Sequence, residues 1–299
     1  MTSHRRKTNR WLRRSIPSYL VLSTPTILFS ALLLYVVGWN FYLSFTNWSL
    51  LNPKIGFAGL TSYVQVVHQP YFINSLIHSS VLAVVLVAVG NGLGILLAGL
   101  LFFINSSRLR TVYLSIIIYP LAISMAINSV VWLWLYNYRL GVNWILTRVG
   151  LPAVPWLFSR SLAFPSIMII TIWAYTGLAT LFYLASYINM DKSVIEAAMI
   201  DRAGPLKILR SILVPNSLNS FIVSTALLLI FSLRIFTVPY VVSGGPTNTL
   251  LQTLVVYMYY LFTTEYFSQS AAVASIITLI AVAIVIPYAL IGIRRWIRT

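Results

Sequence analysis

The chain has no cysteine and very few acidic residues: among its 299 residues, 20 are Lys or Arg and only 4 are Asp or Glu. The lack of cysteine excludes disulfide bonds, thiolate metal sites and cysteine nucleophiles. Charged residues make up 8% of the chain, which is too few to cover the surface of a soluble protein of this length. The composition therefore predicts a chain that lies mostly in lipid.

Long apolar stretches dominate the sequence, with 59% hydrophobic residues and a mean hydropathy of +0.88. Six of them are long enough to cross a bilayer as helices. We therefore predict an all-α integral membrane protein with one transmembrane domain over residues 16–293, between a basic N-terminus (1–15) and a basic C-terminus (294–299). The predicted spans are 16–43, 76–104, 112–136, 162–188, 218–241 and 271–293.

The basic residues predict the orientation of these spans. Fifteen of the 20 lie in the two termini and in the loops after the second and fourth spans, and only four lie in the opposite loops. The positive-inside rule then places both termini in the cytoplasm of a multi-pass protein of the cell membrane. Because the basic groups flank membrane segments and form no continuous stripe, we expect no nucleic-acid partner.

Motifs for chemistry are also lacking. The sequence has no Gly-x-x-x-x-Gly-Lys-Ser/Thr, so it cannot hold nucleotide phosphates in a P-loop of its own. Its three histidines are scattered, and no group of residues has metal-ligand spacing. No pair of acidic and basic residues lies within a predicted span, which argues against an ion-coupled carrier. We predict no catalytic residue, no metal site and no bound cofactor.

Three of the four acidic residues fall in one predicted cytoplasmic loop, residues 190–215. Ser193 and Glu196 form a capping-box pattern, which predicts a short helix starting near Val194. Gly204 suits the left-handed residue that ends such a helix, and Pro205 suits the first position of the next one. Helices this short need to pack against something to be stable.

This loop resembles the "EAA" loop of the permeases of ABC importers, and we call residues 190–215 the EAA loop. In that family the loop is the coupling helix and sits in a cleft on a separate ATP-hydrolysing subunit. The Gly common in the family before Ala203 is Arg202 here. The resemblance implies a coupling role for Glu196, Ala197, Ala198, Asp201, Arg202, Ala203, Gly204, Pro205, Ile212 and Pro215.

Further segments are similar to carbohydrate-uptake permeases of the maltose and glycerol-phosphate type. They are 44–48, 59–63, Tyr119-Pro120 and the Ser-Gly-Gly-Pro-Thr of 243–247. The resemblance implies two ATPase subunits that carry ATP and Mg, a solute-binding protein outside the membrane, and a sugar as solute. It also implies a second permease subunit, either a different one or a second copy of this chain.

The resemblance places the solute path on the helices that flank the EAA loop. Aromatic and hydroxyl groups there suit a sugar, although such groups also anchor helices or bond to their own backbone. The candidates are Trp173, Tyr175, Thr176, Ser224, Thr225 and Ser232. Arg234 is the one charge inside a span and is expected near its outer end, where it can reach water. An outer gate or a binding-protein contact is the expected role of Arg234, Gly244, Gly245 and Pro246.

Three function classes follow. The first is an ABC permease subunit, for a sugar or for another small polar solute. The second is an ion-coupled secondary carrier, and the third is an integral-membrane enzyme such as a lipid-linked glycosyltransferase. The lack of a pair of acidic and basic residues within the spans weighs against the carrier. The enzyme would need clustered acidic residues or a metal site, whereas Glu196 and Asp201 are five residues apart and share a helical face poorly.

Overall fold

The computed structural model describes the backbone of residues 4–296, and the side chains of residue 21 and of residues 23–287. The side chains of the two basic termini, 1–15 and 294–299, lie outside the described residues. The described chain is all-helical, with helices joined by mostly short loops, so the predicted fold class is confirmed. The helices are α1 (His4–Ser44), α2 (Thr61–Val67), α3 (Pro70–Phe102), α4 (Ser107–Ala122), α5 (Met125–Leu135), α6 (Gly141–Arg148), α7 (Ala163–Ile188), α8 (Lys192–Ile200), α9 (Pro205–Ile208), α10 (Val214–Asn216), α11 (Leu218–Leu233), α12 (Thr237–Ser243), α13 (Leu254–Thr263) and α14 (Phe267–Trp296).

Five segments of the described chain are long and apolar enough to cross a membrane. They are Ser23–Ser44, Pro70–Phe102, Ala163–Ile188, Leu218–Ser243 and Phe267–Pro287. The fourth of them combines α11 and α12. A sixth span results if the bent pair α4 and α5 is counted as one.

The third predicted span, 112–136, is not one helix. The α4 and α5 axes differ by 97° around a break at residues 123–124. Ser124 starts α5 by accepting a hydrogen bond from the Ala126 N–H, and the Asn128 side chain donates to the Pro120 carbonyl at 2.7 Å. The amide thus satisfies a carbonyl that lost its helical partner where the helix broke, as a membrane interior requires.

The core forms around α7, which packs against α3, α4 and α11. Small residues allow the backbones to approach closely. A Cβ atom on Gly177 would lie 2.8 Å from the Ile118 Cα, and one on Gly94 would lie 2.7 Å from the Ala179 Cβ. Such close contacts are typical of small residues between membrane helices, but Gly92, near Gly94 on α3, has open space around it.

The first span differs from the others in having almost no burial. The side chains of residues 23–39 on α1 are nearly all exposed, and the span joins the bundle mainly at its C-terminal end. There the Asn40 side chain donates to the Ser275 hydroxyl at 3.0 Å and to the Ala271 carbonyl at 3.3 Å on α14.

Candidate functional site

The EAA loop begins with α8, and Asp191 is the residue that caps this helix. The Asp191 carboxylate accepts the Ser193 N–H at 2.9 Å, and this bond lowers the pKa of Asp191. The predicted capping box of Ser193 and Glu196 is therefore wrong, and the helix starts at Lys192 rather than near Val194. Asp191 and Ser193 can each cap the start of a helix, and in the structure Asp191 does so.

The end of α8 shows why Arg202 can stand where the family commonly has glycine. Arg202 itself adopts the left-handed conformation, with φ of 56°. Its N–H bonds to the Met199 carbonyl at 3.0 Å, and the Ala203 N–H bonds to the Ala198 carbonyl at 2.9 Å, which together form a Schellman motif. The prediction that Gly204 takes this position is wrong, because Gly204 is extended with φ of −69°. Pro205 does begin the next helix, as predicted.

Three buried aliphatic side chains attach the EAA loop to the bundle. Ile195, Ile208 and Leu213 lie in one core cluster with residues near the C-terminal ends of α3 and α7. Leu209 covers Gly99 on α3, where its methyl groups come within 3 Å of the place a Cβ would occupy. These contacts give the two short helices the packing that they lack by themselves.

Before Pro215 the chain forms a π-helical turn over Leu209–Leu213. Proline has no N–H to donate, and the wider π turn precedes it before the α-helical geometry resumes in α10 at Val214. The Asn216 side chain donates to the Ile212 carbonyl at 2.7 Å. Ile212 and Pro215 thus end the EAA loop in a wide turn that leads into α11.

The other face of the EAA loop is exposed and mixes apolar and charged groups. Ile200 is 82% exposed and Leu206 is 75% exposed. Glu196, Asp201 and Arg202 are exposed beside them, as is Ala197, while Ala198 and Ala203 are half-buried. A small, ordered apolar surface of this kind, rimmed by charges, is typical of a protein contact.

The solute-path candidates on α7 are only partly open. The Trp173 ring is partly exposed and meets the Trp132 ring edge-on, with centroids 5.6 Å apart. Tyr175 is buried and stacks on Phe231 at 4.7 Å, and the Thr176 hydroxyl donates to the Ile172 carbonyl at 2.7 Å. Of the three candidates, Trp173 is therefore the one with surface to offer a solute.

The candidates on α11 are buried. The Ser232 hydroxyl donates to the Leu229 carbonyl of its own helix at 2.7 Å, as membrane serines often do. Thr225 accepts a bond from Asn91, and the Ser224 hydroxyl has no partner among the described residues. Ser224 is thus the candidate on α11 whose hydroxyl stays available.

A buried polar network joins α3, α7 and α11. Asn91 on α3 donates to the Thr225 hydroxyl on α11 at 3.1 Å and accepts the Tyr183 hydroxyl of α7 at 2.9 Å. Its amide also donates to the Val87 carbonyl at 2.8 Å. The Asn91 side chain therefore links three helices through hydrogen bonds.

We predict a measurable coupling energy between Asn91 and Tyr183. Each single substitution, Asn91→Ala or Tyr183→Phe, removes the hydrogen bond between them, so the double variant should be less destabilised than the sum of the two. Bonds of this kind between membrane helices have coupling energies of about 0.5–2 kcal/mol. The measurement is a double-mutant cycle on the free energy of unfolding in detergent. Thr176→Val is the control, because the Thr176 hydroxyl bonds only to its own helix. Additive effects would contradict the prediction.

Arg234 lies at a break in the fifth span. It is the C-terminal cap of α11, and α12 begins three residues later, so the span continues for nine residues beyond it. The sequence did not predict this break.

Gly244 ends α12 with φ of 73°, Gly245 follows with φ of 142°, and the Pro246 carbonyl accepts the Gln252 side chain at 2.8 Å. Gln252 and His78 then tie this loop to α3, since the His78 Nδ1 donates to the Gln252 carbonyl at 3.0 Å.

Among the described residues, no three His, Cys, Asp or Glu side chains lie close enough together to hold a metal ion. A cavity of about 220 Å³ lies at the end of the bundle opposite the EAA loop. Carboxamide, hydroxyl and indole groups line it, among them Asn47, Trp48, Gln65, Tyr266 and Gln269. None of the solute-path candidates lines this cavity.

Comparison with known proteins matches residues 90–295 to the family described as the inner membrane component of binding-protein-dependent transport systems. The glucose import system permease protein GlcT of Saccharolobus solfataricus is 59% identical over 93% of this chain and 98% of its own length. The trehalose/maltose transport system permease protein MalF of Thermococcus litoralis is 31% identical over 76% of each chain.

The fold also matches a solved structure of a bacterial alginate ABC transporter in complex with a periplasmic protein that holds an alginate pentasaccharide. The TM-score is 0.80 at 21% identity, over 93% of this chain and 94% of the other. At this identity the match shows the fold alone.

The family match covers most of the chain, and the relatives are membrane transport components rather than enzymes. The chain therefore belongs to the inner membrane components of binding-protein-dependent transport systems, and it is a permease subunit of an ABC importer.

Proposed function

We propose that this permease imports a sugar, with glucose or another neutral monosaccharide as the first candidate. The similarity to a glucose import permease over nearly the whole of both chains supports this assignment. The partly exposed pair of Trp132 and Trp173 supplies aromatic surface for the apolar faces of a sugar ring. The unpaired Ser224 hydroxyl is buried and would reach the polar edges of the sugar only once α11 moves. Tyr175, Thr176, Thr225 and Ser232 would support the path by holding its helices together.

In this proposal the EAA loop transmits the motion of the ATPase. Its inner face is fixed to α3 and α7 by Ile195, Ile208 and Leu213, so a force on its outer face moves the helices rather than the loop alone. The exposed face is the single observation that carries the proposal, because an ordered surface with two largely exposed aliphatic side chains, rimmed by charges, is typical of a protein contact. Two separate subunits would bind ATP and Mg and dock there.

The assembly would further contain a second permease subunit and a solute-binding protein. The family description itself names dependence on a binding protein. The distribution of basic residues supports a cytoplasmic location for the EAA loop and both termini, and the binding protein would dock at the opposite end, near Arg234 and the Gly244–Pro246 turn. Alternating access would open the path between α7 and α11 first to one side and then to the other.

We predict that uptake depends strictly on ATP. The test reconstitutes the complete transporter in liposomes and follows labelled glucose uptake. Uptake should stop when ATP is depleted, even if a proton or sodium gradient remains, and Glu196→Lys should stop it in the presence of ATP. Competition by other sugars then defines the solute. Continued uptake on an ion gradient without ATP would show a secondary carrier instead.

A further inference from the structure

The segment between α5 and α7, residues 137–162, is an ordered unit, which we call the distal segment because it lies at the end of the bundle away from the EAA loop. Asn143 on α6 is fully buried and organises it. Its amide donates to the Asn137 and Val154 carbonyls at 3.2 and 2.9 Å, and its oxygen accepts the Val154 N–H at 2.8 Å and the Trp156 indole N–H at 3.3 Å. The surface of this segment is therefore fixed.

That fixed surface is unusually apolar. Phe158 is 83% exposed and Val149 is 68% exposed, and further large apolar side chains are at least half exposed around them. These are Leu140, Trp144, Ile145 and Leu151. An aqueous loop rarely presents so many apolar groups together.

The charges on the same surface have one sign. Arg139, Arg148 and Arg160 are all exposed, and the sequence contains no acidic residue before Asp191. These are three of the four basic residues in the loops on this side of the chain. The Arg148 guanidinium lies 4.9 Å from the centre of the Trp144 ring. Arginine beside exposed indole and aliphatic groups, in a segment without an acidic residue, complements an anionic layer over an apolar one.

The path of the chain brings this surface to the level of the bilayer interface. The 16 residues of α4 measure about 24 Å, less than the roughly 30 Å of the hydrocarbon core. Because α5 turns by 97° from α4, the two helices cannot both run along the membrane normal. The apolar groups Val130, Val131 and Trp134 on α5 are exposed as well, and the next span starts directly after the segment, at Ala163. The distal segment therefore continues the apolar surface of the spans into the interface.

We propose that the distal segment lies in the headgroup layer of the leaflet away from the EAA loop and binds the phosphates of anionic lipids. Arg139, Arg148 and Arg160 bind the phosphates, and Trp144 and Phe158 insert their rings at the boundary of the acyl chains. Interfacial protein segments bind in this way, with aromatic groups at the boundary and basic groups at the phosphate level.

The test uses the purified transporter complex in nanodiscs that contain a fluorescent anionic phospholipid in a zwitterionic background. The triple variant Arg139→Gln, Arg148→Gln, Arg160→Gln should bind the labelled lipid roughly tenfold to a hundredfold more weakly. Lys54→Gln is the matched control, because Lys54 is the fourth basic residue of the loops at this end, and it should leave lipid binding unchanged. Equal lipid binding by the triple variant and the original protein would overturn the proposal.

A second measurement locates the segment without relying on charge. Lipids brominated near the headgroup should quench Trp144 fluorescence, so the quenched fraction should fall in Trp144→Phe. If instead Trp144 becomes shielded only when the binding protein is added, the surface belongs to that protein and the proposal fails. ATP-driven uptake in zwitterionic liposomes is measured in parallel. If the triple variant loses lipid binding but keeps this uptake, the substitutions have affected the lipid site and not the transport function.

Discussion

Replacing Ile200 with aspartate should lower sugar-stimulated ATP hydrolysis roughly a hundredfold or more, while the stability of the permease itself stays unchanged. Docking of the EAA loop in a partner cleft would remove the exposed Ile200 side chain from water, which contributes about 2 kcal/mol for a side chain of this size. A buried, unpaired carboxylate in its place would add a penalty of several kcal/mol. Together these effects exceed the roughly 2.8 kcal/mol that corresponds to a hundredfold change.

The measurement compares ATP hydrolysis and sugar uptake by the reconstituted transporter before and after the substitution. Leu51→Asp is a closely matched control, because Leu51 is 81% exposed against 82% for Ile200 but lies at the opposite end of the bundle. It introduces the same charge at the same exposure and should leave ATP hydrolysis intact. If both variants lose hydrolysis equally, or if Ile200→Asp keeps it, the outer face of the EAA loop is not the coupling surface.

The second large effect concerns stability. Gly177→Ala should destabilise the bundle by about 2–4 kcal/mol, because the added Cβ meets the backbone of α4 at Ile117 and Ile118. Backbone atoms cannot move aside by changing rotamer, so α4 and α7 must separate, and the contacts between them weaken along their length. For a chain of this size we expect the melting temperature in detergent to fall by about 5–10 °C.

Gly92→Ala is the matched control for this experiment. Gly92 lies in the middle of α3 with nothing within 4 Å of its would-be Cβ, so alanine should be neutral or slightly stabilising through its higher helix propensity. Gly94→Ala gives an independent repeat, since its Cβ would lie 2.7 Å from the Ala179 Cβ on α7. A melting temperature for Gly177→Ala that equals that of Gly92→Ala would show that the helices do not pack as described.

The fold class could be predicted from sequence because apolar runs and the basic residues beside them report directly on transfer into lipid. The helix α7 begins at Ala163 and ends at Ile188, against a prediction of 162–188. The bend between α4 and α5 could not be predicted in the same way. Hydropathy measures only how apolar a run is, and residues 112–136 stay apolar through the change in direction. The local signal was Ser124, a good N-cap residue in the middle of that run.

The EAA loop shows what local rules predict and what they miss. Pro205 was placed correctly because proline can begin a helix but rarely continue one. The left-handed residue was misplaced because glycine is the usual choice, whereas the fold puts Arg202 there. The left-handed conformation raises the free energy of a residue with a Cβ by about 1–2 kcal/mol. The burial of Ile195 and Ile208, on either side of Arg202 in the chain, offsets this cost. The sequence next to Arg202 does not reveal burial provided by α3 and α7.

The solute path was the least predictable part. Hydroxyl groups on α7 and α11 look alike in the sequence, but Thr176 and Ser232 bond to their own helices and Thr225 bonds to Asn91. Whether a serine faces a path depends on the rotation of its helix, and whether its hydroxyl bonds to its own backbone depends on its side-chain rotamer. The solute-path prediction did not include Asn91 and Trp132. In the structure Asn91 forms a hydrogen bond with Tyr183 on another helix, and the Trp132 ring contacts the Trp173 ring.

The sparse packing of α1 affects how the molecule assembles. A helix whose residues 23–39 gain almost no burial from the rest of the chain contributes little to the free energy of the bundle. It behaves as an arm joined at one end, where the Asn40 bonds to α14 fix its last turns. Because Ala271 on α14 lies 231 residues after Asn40, the first helix enters the bilayer long before its own attachment point is synthesised.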